Sequence, residues 1–260
     1  MKENKLLSLR IMNTVAFIIM VVVNALAAAL PINGMDPGQI SDSYPNLFAP
    51  AGFTFSIWGL IYLLLALFVI YQWGAFKGKN GSSMDGVKKI GWLFAISSLF
   101  NTAWIFSWHY QIIPLSWVLM LGILISLIMI NDKVAKSDMS VKEKLFVRLP
   151  FSLYFGWITV ATIANTVTML VSFGWNGFGL GEPVWMIVAI IAGLVIGVLR
   201  MMKNKDIAYG LVFIWAYFGI LMKHISAGEF NGQYPVVIVT VAVSMVLFAV
   251  SIVRLMMKKR

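Results

Sequence analysis

The sequence of 260 residues contains no cysteine. Disulfides, thiolate metal sites, iron–sulfur clusters and cysteine nucleophiles are excluded with it. Charge is scarce as well. Only 12% of residues are Asp, Glu, Lys or Arg, against about a quarter in a soluble domain. Acids are the scarcer sign, 10 against 20 basic residues, and none falls inside the long apolar runs. Histidine occurs only as His109 and His224. Such a chain offers little for a metal site or a general acid–base pair inside a bilayer. The residues therefore point away from an enzyme, although tryptophan photochemistry on a bound pigment would need no motif. The chain also lacks low-complexity tracts and clear internal repeats.

What is there is apolar: 60% of the residues are hydrophobic. A hydrocarbon core of ~30 Å needs roughly 20 such residues per helix. Eight segments meet this approximately: 11–30, 53–73, 90–109, 113–130, 145–173, 183–199, 207–225 and 236–255. The fold class expected is an all-α integral membrane protein of eight transmembrane helices. The fifth run is long enough to tilt or to extend past the membrane.

Charge placement gives the expected topology. Lys2, Lys5 and Arg10 precede the first span; Lys77, Lys79, Lys88 and Lys89 lie between the second and third. Lys133, Lys136, Lys142, Lys144 and Arg148 separate the fourth and fifth, and Arg200, Lys203 and Lys205 the sixth and seventh. Arg254, Lys258, Lys259 and Arg260 follow the eighth. Every second connection is basic, which puts both termini in the cytoplasm of a cell-membrane protein. The net charge of +10 is thus a topology signal. Spread over separate segments, it does not make a nucleic-acid surface. Lys223, beside His224, breaks the pattern. It reads as a lysine reaching the outer headgroups near Glu229 or Glu182, or else as a cationic anchor for an anionic ligand.

The first span ends on Ala27 and Ala29, spaced as in a signal-peptide cleavage site. Its apolar run is long for a signal, and the segment reads as a retained helix. The connection 31–49 is the longest on the external side; Gly34, Pro37, Gly38 and Pro45 make it read as turns. The short link 110–112 makes spans three and four a tight antiparallel hairpin. Ala189, Gly193 and Gly197, four apart, let another helix approach closely. Packing within the bundle is the first use of that stripe, and a homodimer the other.

Four asparagines, Asn13, Asn24, Asn101 and Asn165, fall within the spans. At the rise of an α-helix, Asn24 lies roughly 21 Å beyond Arg10, Asn101 roughly 18 Å beyond Lys89, and Asn165 roughly 25 Å beyond Arg148. Trp58 lies roughly 12 Å below Pro50 on the way in from outside. Four helices thus bring polar or indole groups to a similar outer depth, which suggests a cavity under the long external connection; taken singly, each asparagine reads first as a hydrogen bond that joins helices. Of the ten tryptophans, Trp73, Trp92, Trp108, Trp117, Trp175 and Trp185 sit near span ends as interfacial belt residues. Trp58, Trp104, Trp157 and Trp215 lie deeper, which leaves core packing or ligand stacking. Trp58 and Tyr62 share a helix face, as do Trp157, Ala161 and Asn165.

At these residues the chain resembles the TspO/MBR family of tryptophan-rich sensory proteins. The resemblance rests on Pro50, Trp58 and Tyr62 at the second helix, and on Asn101 followed by Trp104 on the third. On the fifth it rests on Pro150, Trp157, Ala161-Thr162 and Asn165. It covers about 11–173, which corresponds to the family's five-helix unit. The division it implies is a TspO-like unit over 1–173 and three additional transmembrane helices over 174–260. The approach to the second helix reads Ala49-Pro-Ala-Gly-Phe53 where the family more usually has Pro-Pro-Gly-Trp, so one aromatic is altered.

The resemblance implies a binding or sensory protein for flat hydrophobic molecules such as porphyrins or haem, held as ligands in an outward-side pocket. No cofactor is required by it. Trp58, Tyr62, Asn101, Trp104, Trp157, Ala161 and Asn165 are the ligand residues it implies, with no catalytic or metal residue among them. The alternative is a secondary transporter of a small hydrophobic or anionic solute. The partners expected are the lipid bilayer and a tetrapyrrole-like small molecule.

Overall fold

The computed structural model describes residues 2–30, 32–76 and 85–258, and every regular element among them is helical. Pro31, Lys77, Lys79, Lys259 and Arg260, which entered the loop and charge arguments above, lie outside the described residues. The order is α1 (Lys2–Ala29), α2 (Pro37–Asp42), α3 (Ile57–Gln72), α4 (Asp85–Ile90), α5 (Leu93–His109) and α6 (Ile113–Ala135). There follow α7 (Val141–Glu143), α8 (Leu149–Ser172), α9 (Glu182–Asn204), α10 (Ile207–Ile225) and α11 (Pro235–Met257).

Seven helices among the described residues are long and apolar enough to cross a bilayer, which makes this a multi-pass membrane protein. The third expected span, 90–109, is the exception. Its helix α5 has 17 residues, shorter than those seven stretches. Gly91, at φ 57°, turns the chain between α4 and α5 and removes the first residues of the apolar run from the helix.

The fifth run is longer than its apolar residues indicate, continuous from Val141 to Ser172. Ser140 starts it with a reciprocal cap: its hydroxyl accepts from Glu143 N–H while the Glu143 carboxylate accepts from Ser140 N–H. A π-helical turn then occupies Lys144–Arg148, just before Pro150. Pro150 has no N–H to donate and its ring crowds the carbonyl four residues back. Widening the preceding turn accommodates that ring without breaking the helix. The connection 31–49 also departs from expectation, because it contains the short helix α2. Pro37 opens it at the first helical position, where a missing N–H costs nothing.

The chain forms two compact units. Unit 1 comprises 1–37 and 57–155; unit 2 comprises 38–56 and 156–260. In unit 1, α1 packs on α3 and α5, and α5 pairs with α6 as the expected hairpin. Its core holds Phe68, Phe94 and Phe151, all buried, meeting edge to face with centroids 5.0–5.3 Å apart. Asn13 belongs to a separate polar cluster that joins helices. Its amide donates to Gln72 Oε1 at 3.4 Å and to Gly91 O at 3.3 Å, and Gln72 donates back to Arg10 O and Thr14 Oγ1.

Unit 2 packs α9, α10 and α11 around Phe213 and Phe248, whose rings stack at 5.0 Å. The small-residue stripe of α9 is used inside this unit. Gly193 lies against the Tyr217 hydroxyl, and Gly197 against the rings of Phe213 and Phe248. The Tyr217 hydroxyl donates to Ile190 O at 2.7 Å, so it is satisfied within the packed interface.

Candidate functional site

Two of the residues that helix rise puts at a similar depth, Asn24 and Asn101, meet in unit 1, and Trp58 is linked to them through Tyr154. Asn24 on α1 donates to Asn101 Oδ1 on α5 at 2.8 Å. Asn101 donates in turn to the Tyr154 hydroxyl at 3.2 Å. The Tyr154 ring stands edge-on to Trp58 at 6.0 Å, and Trp58 stacks on Tyr62 at 5.3 Å with an interplanar angle of 21°. Asn101 and Tyr154 are fully buried, whereas Trp58 and Tyr62 are half-buried. The arrangement is therefore a buried polar chain backing a partly exposed aromatic stack. Such a stack has ring faces for a flat apolar molecule, and the chain behind it fixes the tilt of those faces.

Trp104 does not join the stack. It is buried beside Trp108, rings 5.8 Å apart, and its indole N–H has no hydrogen-bond partner among the described residues. Trp108 is itself buried and donates to Pro37 O at 3.2 Å, so it anchors the loop start instead of serving a lipid belt. Tyr154 is not among the residues that the sequence singles out. The signal was present, since it lies three residues before Trp157 on a helix whose other polar positions were noted.

The remaining expected ligand residues belong to unit 2. Trp157 is buried with its ring edge-on to Phe55 at 5.9 Å. Ala161 is half-buried and Asn165 is buried.

Unit 2 also explains Lys223 and His224. The Lys223 ammonium pairs with Asp42 at 3.3 Å and with Glu229 at 3.8 Å; Glu182 is not among its partners. His224 Nε2 meets Leu47 O at 3.0 Å, and its ring packs against Phe230 and Tyr234. One turn and more down α10, Ala51 N–H donates to Gly219 O and the Trp215 indole donates to Thr54 O at 2.9 Å. Phe53 packs edge-on against both Trp215 and Phe218. The segment from Asp42 to Thr54 is thus strapped along α10. Gly219 permits this, because a Cβ there would collide with the Thr54 side chain.

A cavity of about 500 Å³ lies in unit 2, walled by Pro45–Phe48 of the strap, the C-terminal half of α8, the α8–α9 connection and the start of α9. None of the seven expected ligand residues lines it. Its aromatic lining is Phe48, Trp175 and Trp185; the two indoles, with centroids 4.7 Å apart, are both assigned from sequence to the interfacial belt. Trp185 is held by an indole N–H bond to Gly177 O at 2.9 Å. Gly177 has φ +61°, and a side chain there would strike the indole, so the glycine sets the wall. Among the described residues there is no cluster of acids and histidines arranged to hold a metal ion.

The family model for TSPO-like protein matches residues 10–254, running through the five-helix stretch and the three helices after it. No curated protein and no solved structure matches the chain. With 10–254 covered by that one family model, the chain belongs to the TSPO-like protein family.

Proposed function

We propose that this TSPO-like protein is a membrane-embedded binding or sensory protein whose ligand is a flat hydrophobic molecule of the porphyrin or haem type. The observation that carries the reading is the Trp58–Tyr62 stack backed by the Asn24–Asn101–Tyr154 chain. A tetrapyrrole would lie against the indole of Trp58, where stacking contributes about 0.5–1.5 kcal/mol beyond buried area. Asn101 would orient the ring system through Tyr154. In this reading the chain crosses the bilayer eight times with α5 as the short crossing, both termini are cytoplasmic, and 1–173 is the ligand unit. The helices over 174–260 then serve to hold the external strap.

Titration with protoporphyrin IX in lipid nanodiscs, followed at the Soret band, tests this. Saturable binding at one porphyrin per chain is expected. Trp58→Ala should weaken it at least tenfold, equivalent to about 1.4 kcal/mol. A control, Trp73→Phe, should leave it unchanged, since Trp73 is bonded to Thr14 away from the stack. Equal uptake by all three proteins and by empty discs would overturn the reading.

A further inference from the structure

We propose that the cavity of unit 2 is a second binding site, selective for a small amphiphile with a flat apolar body and one cationic nitrogen. It goes beyond the porphyrin reading and does not rest on it, because no residue of the Trp58 stack lines the cavity.

Size and lining come first. A volume of about 500 Å³ lies within the range of small-molecule sites. Ile163, Val167, Leu170 and Met186 supply an apolar wall, and Phe48, Trp175 and Trp185 add aromatic surface. The polar groups of the lining are largely turned to their own loops. Asn46 Oδ1 accepts from Phe48 N–H and Ala49 N–H, and Asn176 Oδ1 accepts from Phe178 N–H. Thr166 donates to Thr162 O. A ligand that depends on many hydrogen bonds finds few groups to serve it.

Charge then selects the class. Among the lining residues only Glu182 carries a formal charge, and it is exposed. The lysine at this end of the unit, Lys223, is engaged by Asp42 and Glu229 and makes no pair with Glu182. Glu182 thus brings the one formal negative charge to a cavity that Trp175 and Trp185 also line. A carboxylate with tryptophan faces is the combination that favours an organic cation and disfavours an anion. An anionic porphyrin would meet repulsion here, which separates this site chemically from the one proposed above.

The test uses three probes with one aromatic body: 1-pyrenemethylammonium, 1-pyrenemethanol and 1-pyrenecarboxylate. Binding to the full chain in phosphatidylcholine nanodiscs is read by energy transfer from indole to pyrene, with empty discs subtracted. The cation is expected to bind about fivefold tighter than the alcohol, as an exposed ion pair plus a cation–π contact allows, and the carboxylate weakest. Glu182→Gln should bring cation and alcohol within about twofold while leaving the alcohol unchanged. Ala189→Phe and Val167→Phe, which fill the cavity, should abolish saturable binding of all three probes. Protoporphyrin binding should be unaffected by these variants, and pyrene binding unaffected by Trp58→Ala. A cation preference that survives Glu182→Gln, or wild-type binding in both filled variants, overturns the proposal. So does loss of pyrene binding in Trp58→Ala. Absence of porphyrin binding alone would overturn only the earlier reading.

Discussion

Replacing Gly219 with valine is expected to be among the most damaging single changes in unit 2, lowering the unfolding free energy by about 3 kcal/mol, the upper end for overpacking a tight contact. The site has no slack. A Cβ on Gly219 meets the Thr54 hydroxyl, and lies only 2.7 Å from Thr54 Cγ2 and 2.8 Å from its Cβ. Thr54 is fully buried and cannot swing into solvent. Its carbonyl is tied to the Trp215 indole, and Ala51 N–H is tied to Gly219 O. The strap must therefore lift, breaking both bonds, or α10 must shift. Reversible unfolding in SDS mixed micelles measures the loss. The double variant Thr54→Gly/Gly219→Val should recover more than half of it, because the colliding side chain is gone. Additive losses in the double variant would mean that contact with Thr54 is not the cause.

Asn101→Leu is expected to cost about 2 kcal/mol, above the ~0.6 kcal/mol average for a hydrogen bond inside a membrane. The excess follows from position. Asn101 is the middle of the Asn24–Asn101–Tyr154 chain, so its loss removes a partner from both neighbours. The Tyr154 hydroxyl is fully buried and is left without that donor, and a stranded buried polar group costs about 1–3 kcal/mol. Asn24 suffers less, since its amide also donates to Met20 O at 2.9 Å. Tyr154→Phe alone should cost about 1 kcal/mol. The double variant should cost clearly less than the sum, because it leaves one orphaned group fewer. The same unfolding assay decides the matter; strict additivity would show that the chain does not act as one network.

Much of this arrangement is legible in the sequence, for reasons that are local. A bilayer forces the apolar runs to be helices, and depth along a helix follows from its rise. Helix rise alone brings Asn24, Asn101 and Trp58 to a similar depth, and the shortness of 110–112 alone indicates the hairpin. The α9 stripe of Ala189, Gly193 and Gly197 likewise announces close packing by its spacing alone. What was not legible depends on contacts without a period. The strap on α10 is made by residues separated by 161 to 181 positions, such as Trp215 with Thr54 and Lys223 with Asp42. Nothing in the composition of 42–54 indicates a helix so distant. Trp175 and Trp185 satisfy the rule for belt residues so well that their role as cavity walls is hidden. The break at Gly91 shortens α5 because one residue adopts a left-handed conformation, which an apolar count does not register.

A photoreactive porphyrin shows whether a flat ligand rests on the Trp58–Tyr62 stack. Protoporphyrin IX bearing a diazirine on one propionate is bound to the full chain in nanodiscs, irradiated and mapped by peptide mass spectrometry. Crosslinks that unlabelled protoporphyrin competes away should concentrate on α3 around Trp58 and Tyr62 and on α5 around Asn101. Crosslinks scattered over exposed apolar positions such as Val195 and Val246, or concentrated between Trp175 and Ala189, would contradict that placement.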